Sequence, residues 1–272
     1  MPKKSALRGA ILQALHAQEW ISGEALAKRL GVSRAAISKQ IAGLRACGCL
    51  VDAASRRGYR LVSLAEPWAL QDMQAGLKTH CLGRGEWLWL DKTDSTNLAL
   101  LRRALEGAKA GAVAVARHQT AGRGSKNRTW TDMPGCLMFS VLLRPPMPMM
   151  QPEGILGAAL QSCQSTLAGF CSVDARIKPP NDILLGSRKI GGVLVESLHR
   201  NGEIAGAVLG IGLNVNVPPA DMPVDLRAAA TSVYAESGRT FDLGALLADL
   251  LANLETALGA GLFADKYAGP AR

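Results

Sequence analysis

At Glu66-Pro67 the hydrophobic pattern of the chain changes character. Before it, apolar residues recur at helical spacing in three short runs; after it, apolar runs of strand length alternate with helical ones. The residue before a proline is pushed out of the helical region, so this dipeptide marks a boundary. Two domains are expected, residues 1–66 and residues 67–272, and a length of 272 suits two better than one.

In the first segment Leu7, Ile11, Leu12 and Leu15 form one apolar face. Ser22 caps a second helix, with Ala25, Leu26 and Leu30 inward and Gly31 ending it. Ser33 caps a third, whose Ala36, Ile37, Ile41 and Leu44 form the buried stripe and leave Arg34, Ser38, Lys39 and Arg45 outside. Helix, tight glycine turn and helix is the helix-turn-helix pattern. A hairpin follows, Cys49–Ala53 and Tyr59–Val62, whose tip carries Arg56 and Arg57 as a wing. Charge agrees: residues 1–66 hold eleven Lys and Arg against four acids, a surplus of seven, while the remainder has a surplus of two. Three-helix units also dock proteins, but a basic outer face with a basic wing tip points to DNA.

After the boundary, strands are expected at Trp87–Leu90, Ala112–Ala116, Leu137–Leu143, Arg176–Lys178, Ile183–Leu185, Gly191–His199 and Glu203–Gly212. Helices are expected at Asn97–Gly107, Glu153–Gly169 and Leu243–Leu258. The fold class is therefore α+β, a mixed sheet with helices upon it. No window of about 18 apolar residues lacks a charge, which excludes a spanning helix. The start MPKKSALRGA lacks a secretory signal, so a cytoplasmic protein is expected. Cys47, Cys49, Cys81, Cys136, Cys163 and Cys171 form no CxxC pair and read as reduced, mostly buried thiols. The four histidines form no ligand cluster.

The densest chemical signal is Gln119-Thr-Ala-Gly-Arg-Gly-Ser-Lys-Asn-Arg-Thr-Trp130. Gly122 and Gly124 let the backbone approach a ligand, and Arg123, Lys126 and Arg128 supply the charge a phosphate needs. It is neither a Walker A loop nor a GxGxxG, and an ordinary surface loop is the bland alternative. Lys178-Pro-Pro-Asn-Asp182 holds Asn181 and Asp182 for a metal or ribose contact, or is simply a turn. Ser187-Arg-Lys-Ile-Gly-Gly-Val-Leu-Val-Glu196 puts Lys189 at a strand mouth, where an anion is reachable. Gly210-Ile-Gly-Leu-Asn-Val-Asn216 ends a strand at Asn214, and Asp94-Ser-Thr-Asn97 opens a helix with hydroxyls and free N–H groups.

In this order the five motifs closely resemble the biotin protein ligase family. The leading helix-turn-helix, with Ser33-Arg-Ala-Ala-Ile-Ser-Lys39 and Arg57-Gly-Tyr-Arg60, is similar to its bifunctional BirA-type class, both ligase and biotin operon repressor. The resemblance covers roughly residues 5–260. It implies an N-terminal winged helix-turn-helix domain followed by a mixed-sheet α/β catalytic domain of the biotin/lipoate-ligase kind. It implies two steps in one site: biotin and MgATP give biotinyl-5′-AMP, and a lysine of the biotin carboxyl carrier protein of acetyl-CoA carboxylase then takes the biotin. By the resemblance, Ser95, Thr96, Asn97 and Gln119 meet the biotin head, while Gly122, Arg123, Gly124 and Ser125 close over it and Lys189 meets its carboxylate. ATP and adenylate fall to Arg123, Lys126, Arg128, Trp130, Lys178, Asn181, Asp182, Lys189 and Asn214, with Arg123, Lys178 and Lys189 as catalytic cations and Asp182 toward Mg²⁺. DNA contacts fall to Ser33, Arg34, Ser38, Lys39, Arg45, Arg56 and Arg57, in a homodimer formed when adenylate is bound.

The chain departs from the family pattern in three places. Ser125 stands where an arginine is usual and Asn127 where a glycine is usual, and Pro179 replaces an aromatic. The family's small C-terminal β-barrel is expected to have no counterpart. A rival reading is a biotin-responsive repressor with weak or no ligase activity. A lipoate or octanoyl transferase is a further rival, against which the GRG loop followed by Lys-x-Pro-Asn-Asp speaks for biotin.

Overall fold

The protein is described by a computed structural model, which defines residues 4–16, 20–46, 50–63, 76–144, 152–200 and 203–259. The expected boundary at Glu66-Pro67, together with Cys47 and Cys49, lies outside the described residues. The chain separates into two compact units, the second beginning at Gly76. Among the described residues no helix is long and apolar enough to cross a membrane.

The N-terminal unit has helices α1 (Lys4–His16), α2 (Gly23–Leu30) and α3 (Arg34–Ala46), then strands β1 (Leu50–Ala54) and β2 (Gly58–Ser63). Both expected caps form: Ser22 Oγ accepts from Ala25 N at 3.0 Å and Ser33 Oγ from Ala36 N at 3.1 Å. Gly31 ends α2 in the left-handed region, at φ 66°. The helices meet around Ile11, Leu15, Leu26, Ile37, Ile41 and Leu44. Ala25, expected inward, is exposed, because the buried stripe of so short a helix runs through Gly23 and Leu26. Ile21 exchanges backbone hydrogen bonds with Tyr59, at 3.0 and 2.8 Å. That approach requires Gly58, whose absent Cβ would sit 2.2 Å from the Ile21 carbonyl oxygen.

The second unit is built on one seven-stranded sheet. Its strands are β3 (Trp87–Thr93), β4 (Val113–Gln119), β5 (Cys136–Leu143), β6 (Ala175–Lys178), β7 (Asp182–Leu185), β8 (Arg188–Arg200) and β9 (Glu203–Asn214), in the order β3-β4-β5-β9-β8-β7-β6. Only β3 and β4 run parallel, joined through helix α4 (Thr96–Leu105); every other neighbouring pair is antiparallel. Helix α5 (Pro152–Cys171) lies along β6, β7 and β8. A short α6 (Val233–Ser237) and α7 (Leu243–Ala257) complete the described elements, and residues 260–272 lie outside them.

Small side chains let α4 lie close on the sheet. Leu100 and Ala104 pack on Ala112, Ala114, Leu142 and Val208. Glu255, on α7 and 3% exposed, accepts hydrogen bonds from the backbone N–H groups of His80, Cys81 and Leu82, at 2.5, 2.8 and 2.7 Å. Three donors offset the cost of burying that carboxylate.

Candidate active site and nucleic-acid interface

The central strands set the floor of a cleft. Ser140 lies opposite Gly210, which lies opposite Leu194; Met138, Gly212 and Gly192 align one step along the same ladders. Glycine is needed there for space. A Cβ on Gly210 would stand 2.2 Å from Asn97 Oδ1, and one on Gly212 would stand 2.7 Å from the Trp130 indole.

The N-terminus of α4 closes one end. Ser95 occupies the cap position in extended geometry, but its buried hydroxyl makes no capping bond. Thr96 donates to Gln119 Oε1 from its backbone N–H at 2.8 Å and from its hydroxyl at 3.2 Å. Gln119 in turn presents Nε2 to the Met138 sulfur, 3.2 Å away. Ser140 Oγ is 2.7 Å from Thr96 Oγ1 and 2.5 Å from Asn97 Oδ1. Asp94, just outside, accepts from the two terminal guanidinium nitrogens of Arg102, at 2.8 and 2.9 Å, which holds its carboxyl well below the usual range. The result is a rigid end of neutral donors and acceptors, suited to a neutral polar head.

Cations reach the cleft from the glycine-rich loop and from the start of β8. The glycine-rich loop folds as a small hairpin: Trp130 N donates to Gly122 O at 2.9 Å and Gly124 N to Arg128 O at 2.7 Å. Its tip is a turn of 3₁₀ helix, Ser125–Asn127, with Lys126 at φ 55°. Ser125 Oγ donates to Asn181 Oδ1 at 3.2 Å, tying the loop to the β6–β7 turn, and accepts from Arg128 at 3.1 Å. Arg123 meets Glu196 at 3.0 Å. The Lys189 ammonium lies 2.5 Å from Asp182 and 5.8 Å from the centre of the Trp130 ring. Trp130 Nε1 is buried without a hydrogen-bond partner.

Most residues expected at the site converge on this cleft. Ser95, Thr96, Asn97 and Gln119 line it from α4 and β4. Arg123, Gly124, Ser125, Arg128 and Trp130 line it from the loop, and Asn181 and Lys189 from the far side. Gly122 is buried beneath the Trp130 carbonyl, 2.6 Å from where its Cβ would be.

Others lie elsewhere. Lys126 is exposed at the loop tip, and Lys178 is exposed at the end of β6, opposite Asp182 in register. Neither is among the residues lining the cleft, and Asp182 meets it through Lys189. Asn214 is buried: its Nδ2 donates to Thr231 O at 3.0 Å and its Oδ1 accepts from the Cys136 thiol at 3.3 Å. Its amide is thus spent on holding the end of β9. Among the described residues no three His, Cys, Asp or Glu side chains converge as a metal cage, and Asp182 stands as a single paired carboxylate. Sequence reasoning missed Ser140, Met138 and Glu196. The available signal for Glu196 was one acid among the apolar residues of β8.

On the N-terminal unit Arg34, Ser38 and Lys39 are exposed on α3, as expected. Ser33 is occupied as the cap. Arg45 turns its guanidinium back onto Val51 O, at 2.9 and 2.6 Å, and so braces β1. Arg56 is exposed at the wing tip, at φ 68°. Arg57 lies 4.5 Å over the Trp20 ring, and Arg60 lies 5.0 Å over the same ring while pairing with Asp52 at 2.7 Å.

Comparison with known proteins agrees with both units. Residues 89–214 match the Biotin/lipoate A/B protein ligase family and residues 8–60 match an HTH domain. The chain is 33% identical over 252 residues to the bifunctional ligase/repressor BirA of Bacillus subtilis, covering 91% of this chain and 77% of that protein. It is 34% identical over 244 residues to the protein of that name from Escherichia coli, covering 88% and 73%. Among solved structures, the biotin protein ligase from Aquifex aeolicus in complex with biotin and ATP superposes with a TM-score of 0.57 at 28% identity, over 66% of this chain and 72% of that one. The chain belongs to the biotin/lipoate protein ligase family, in the bifunctional ligase/repressor branch that carries a helix-turn-helix domain ahead of the ligase domain.

Proposed function

We propose that the protein activates biotin with ATP to biotinyl-5′-AMP and transfers the biotinyl group to a lysine of the biotin carboxyl carrier protein of acetyl-CoA carboxylase. The observation that carries this reading is the two-ended cleft, neutral hydroxyls and amides around Thr96, Gln119 and Ser140 at one end and Lys189 toward the other, with Arg123 reaching in from the loop to Glu196. Biotin has that polarity: an uncharged ureido head and a carboxylate tail. Ser95, Thr96 and Gln119 receive the head, and Asn97 and Ser140 fix their orientation. A carboxylate oxygen attacks the α-phosphorus and pyrophosphate departs. A lysine amine then attacks the acyl carbon and AMP departs.

Two anions must meet in the first step. Arg123 and Lys189 lower their repulsion and stabilise charge growing on the phosphate. Arg128 and the Trp130 ring flank the nucleotide, and Lys126 and Lys178 supply a wider positive field from outside the cleft. Gly124 lets the loop backbone close over the adenylate. Magnesium enters as part of the MgATP substrate, because one carboxylate already paired to Lys189 does not make a resident metal site.

The N-terminal unit represses the biotin operon by binding its operator as a homodimer formed with adenylate bound. Arg34, Ser38 and Lys39 read the groove, and Arg56 and Arg57 meet phosphates. The setting is the cytoplasm, where carrier protein and DNA are both at hand. A biotin-responsive repressor that does not ligate is the second reading, favoured by Ser125 in place of a cation. Biotin-dependent ATP–pyrophosphate exchange on the purified chain decides. Exchange supports the ligase; biotin binding without exchange leaves the repressor alone.

A further inference from the structure

Strand β8 carries one acidic side chain, Glu196, on the same sheet face as Gly192 and Leu194, which line the cleft. It is only 17% exposed, and a carboxylate so placed is costly unless it is paired and hydrogen-bonded. Both oxygens are used. Oε2 accepts from Asn97 Nδ2 at 2.7 Å, and Oε1 lies 3.0 Å from Arg123 NH1.

Asn97 belongs to the closed end of the cleft. Its Oδ1 is 2.5 Å from Ser140 Oγ, Ser140 reaches Thr96, and Thr96 reaches Gln119. One unbroken run of polar contacts therefore leads from Gln119 through Thr96, Ser140, Asn97 and Glu196 to Arg123. It crosses β4, α4, β5, β8 and the glycine-rich loop, and it joins the neutral end of the cleft to the Arg123 guanidinium.

We propose that Glu196 is a positioning residue: it holds Arg123 over the cleft and ties that placement to the head-binding cluster. The inference rests on the biotin reading given above. Arg123 is 44% exposed, and an arginine so exposed and unheld samples many rotamers. Glu196 takes only one corner of the planar guanidinium, so the remaining N–H groups stay available to an anionic ligand. A head seated against Thr96 and Gln119 stiffens the run and with it the cation that receives the carboxylate. The tail is then met by a cation already in place.

The test compares Glu196→Gln with the unaltered chain in biotin-dependent pyrophosphate exchange. Glutamine keeps the size of the side chain and an oxygen for Asn97, and drops the charge that holds Arg123. The KM for biotin is expected to rise about tenfold, the size of one charge-assisted hydrogen bond, with the KM for ATP unchanged. A merely structural role would instead lower kcat by loss of folded protein and leave KM alone. Adding Glu196→Gln to Arg123→Gln should produce no further rise, because the carboxylate acts through the guanidinium. Glu196→Asp, which keeps the charge but retracts it, should also raise the KM and carries the test if the glutamine variant fails to fold. An unchanged KM in a folded variant, or additive effects in the double variant, overturns the proposal. Absence of exchange in the unaltered chain overturns the ligase reading on which it rests.

Discussion

The Lys189 ammonium stands 2.5 Å from Asp182 Oδ1, an ion pair rather than a directed hydrogen bond, with the two side chains 31% and 16% exposed. Lys189 enters β8 and Asp182 opens β7, so two neighbouring strands hold the pair. A cation mounted on a sheet is placed more rigidly than one on a loop. Lys189→Ala should lower kcat/KM for exchange about a hundredfold or more, the usual cost of removing one group that stabilises developing charge. It should also destabilise the unit, because Asp182 loses its partner. Adding Asp182→Asn should restore the melting temperature without restoring exchange, as thermal melts and exchange rates on the same samples would report.

Ser125 bonds Asn181 and Arg128, so it ties the loop down but offers no charge to an adenylate. Ser125→Arg should slow biotinyl-AMP release about ten- to a hundredfold and reduce biotinylation of bystander lysines. Stopped-flow release followed by blotting for biotin measures both. Unchanged release from an already slow native chain would mean that Lys126 and Arg128 supply the charge.

Replacing Arg56 and Arg57 together should weaken binding to all DNA sequences and flatten its dependence on salt, because fewer phosphate contacts release fewer counterions. Arg45→Ala should behave differently. Its guanidinium is committed to Val51 O, so the loss should appear as about 1 kcal/mol of stability in a urea melt, with the salt slope retained. Exchange should survive all these changes, since the cleft belongs to the other unit.

Burial pushes the thiols of Cys136, Cys163 and Cys171 up to about 12, and burial followed by the nearby Glu255 charge pushes Cys81 to about 11. At pH 8 the thiolate fraction of each is about one in a thousand or less. Iodoacetamide at that pH should leave these four unlabelled in the native chain and label them in urea, as peptide mapping would show. The folded state prefers the protonated thiol. Its contribution to stability is therefore full below the ordinary value of 9.0 and is lost as pH rises through 11 to 12.

Local order was readable without coordinates. Ser22, Gly31 and Ser33 announce the ends of their helices because capping acts within four residues, and apolar period alone places every strand of the sheet within a few residues. The order of five short motifs led to the residues that line the cleft. Tertiary structure decided which partners those residues use. Asn97 and Glu196 are 99 positions apart and meet because α4 packs across β4, β5 and β9, and β9 pairs with β8. Asn214 and Arg45 look like ligand contacts in one dimension, yet each donates to a backbone carbonyl that folding brings to it. Periodicity and capping are short-range and legible in a window of residues. Which polar group satisfies which other depends on strand order, and strand order is set by burying apolar faces across the whole domain.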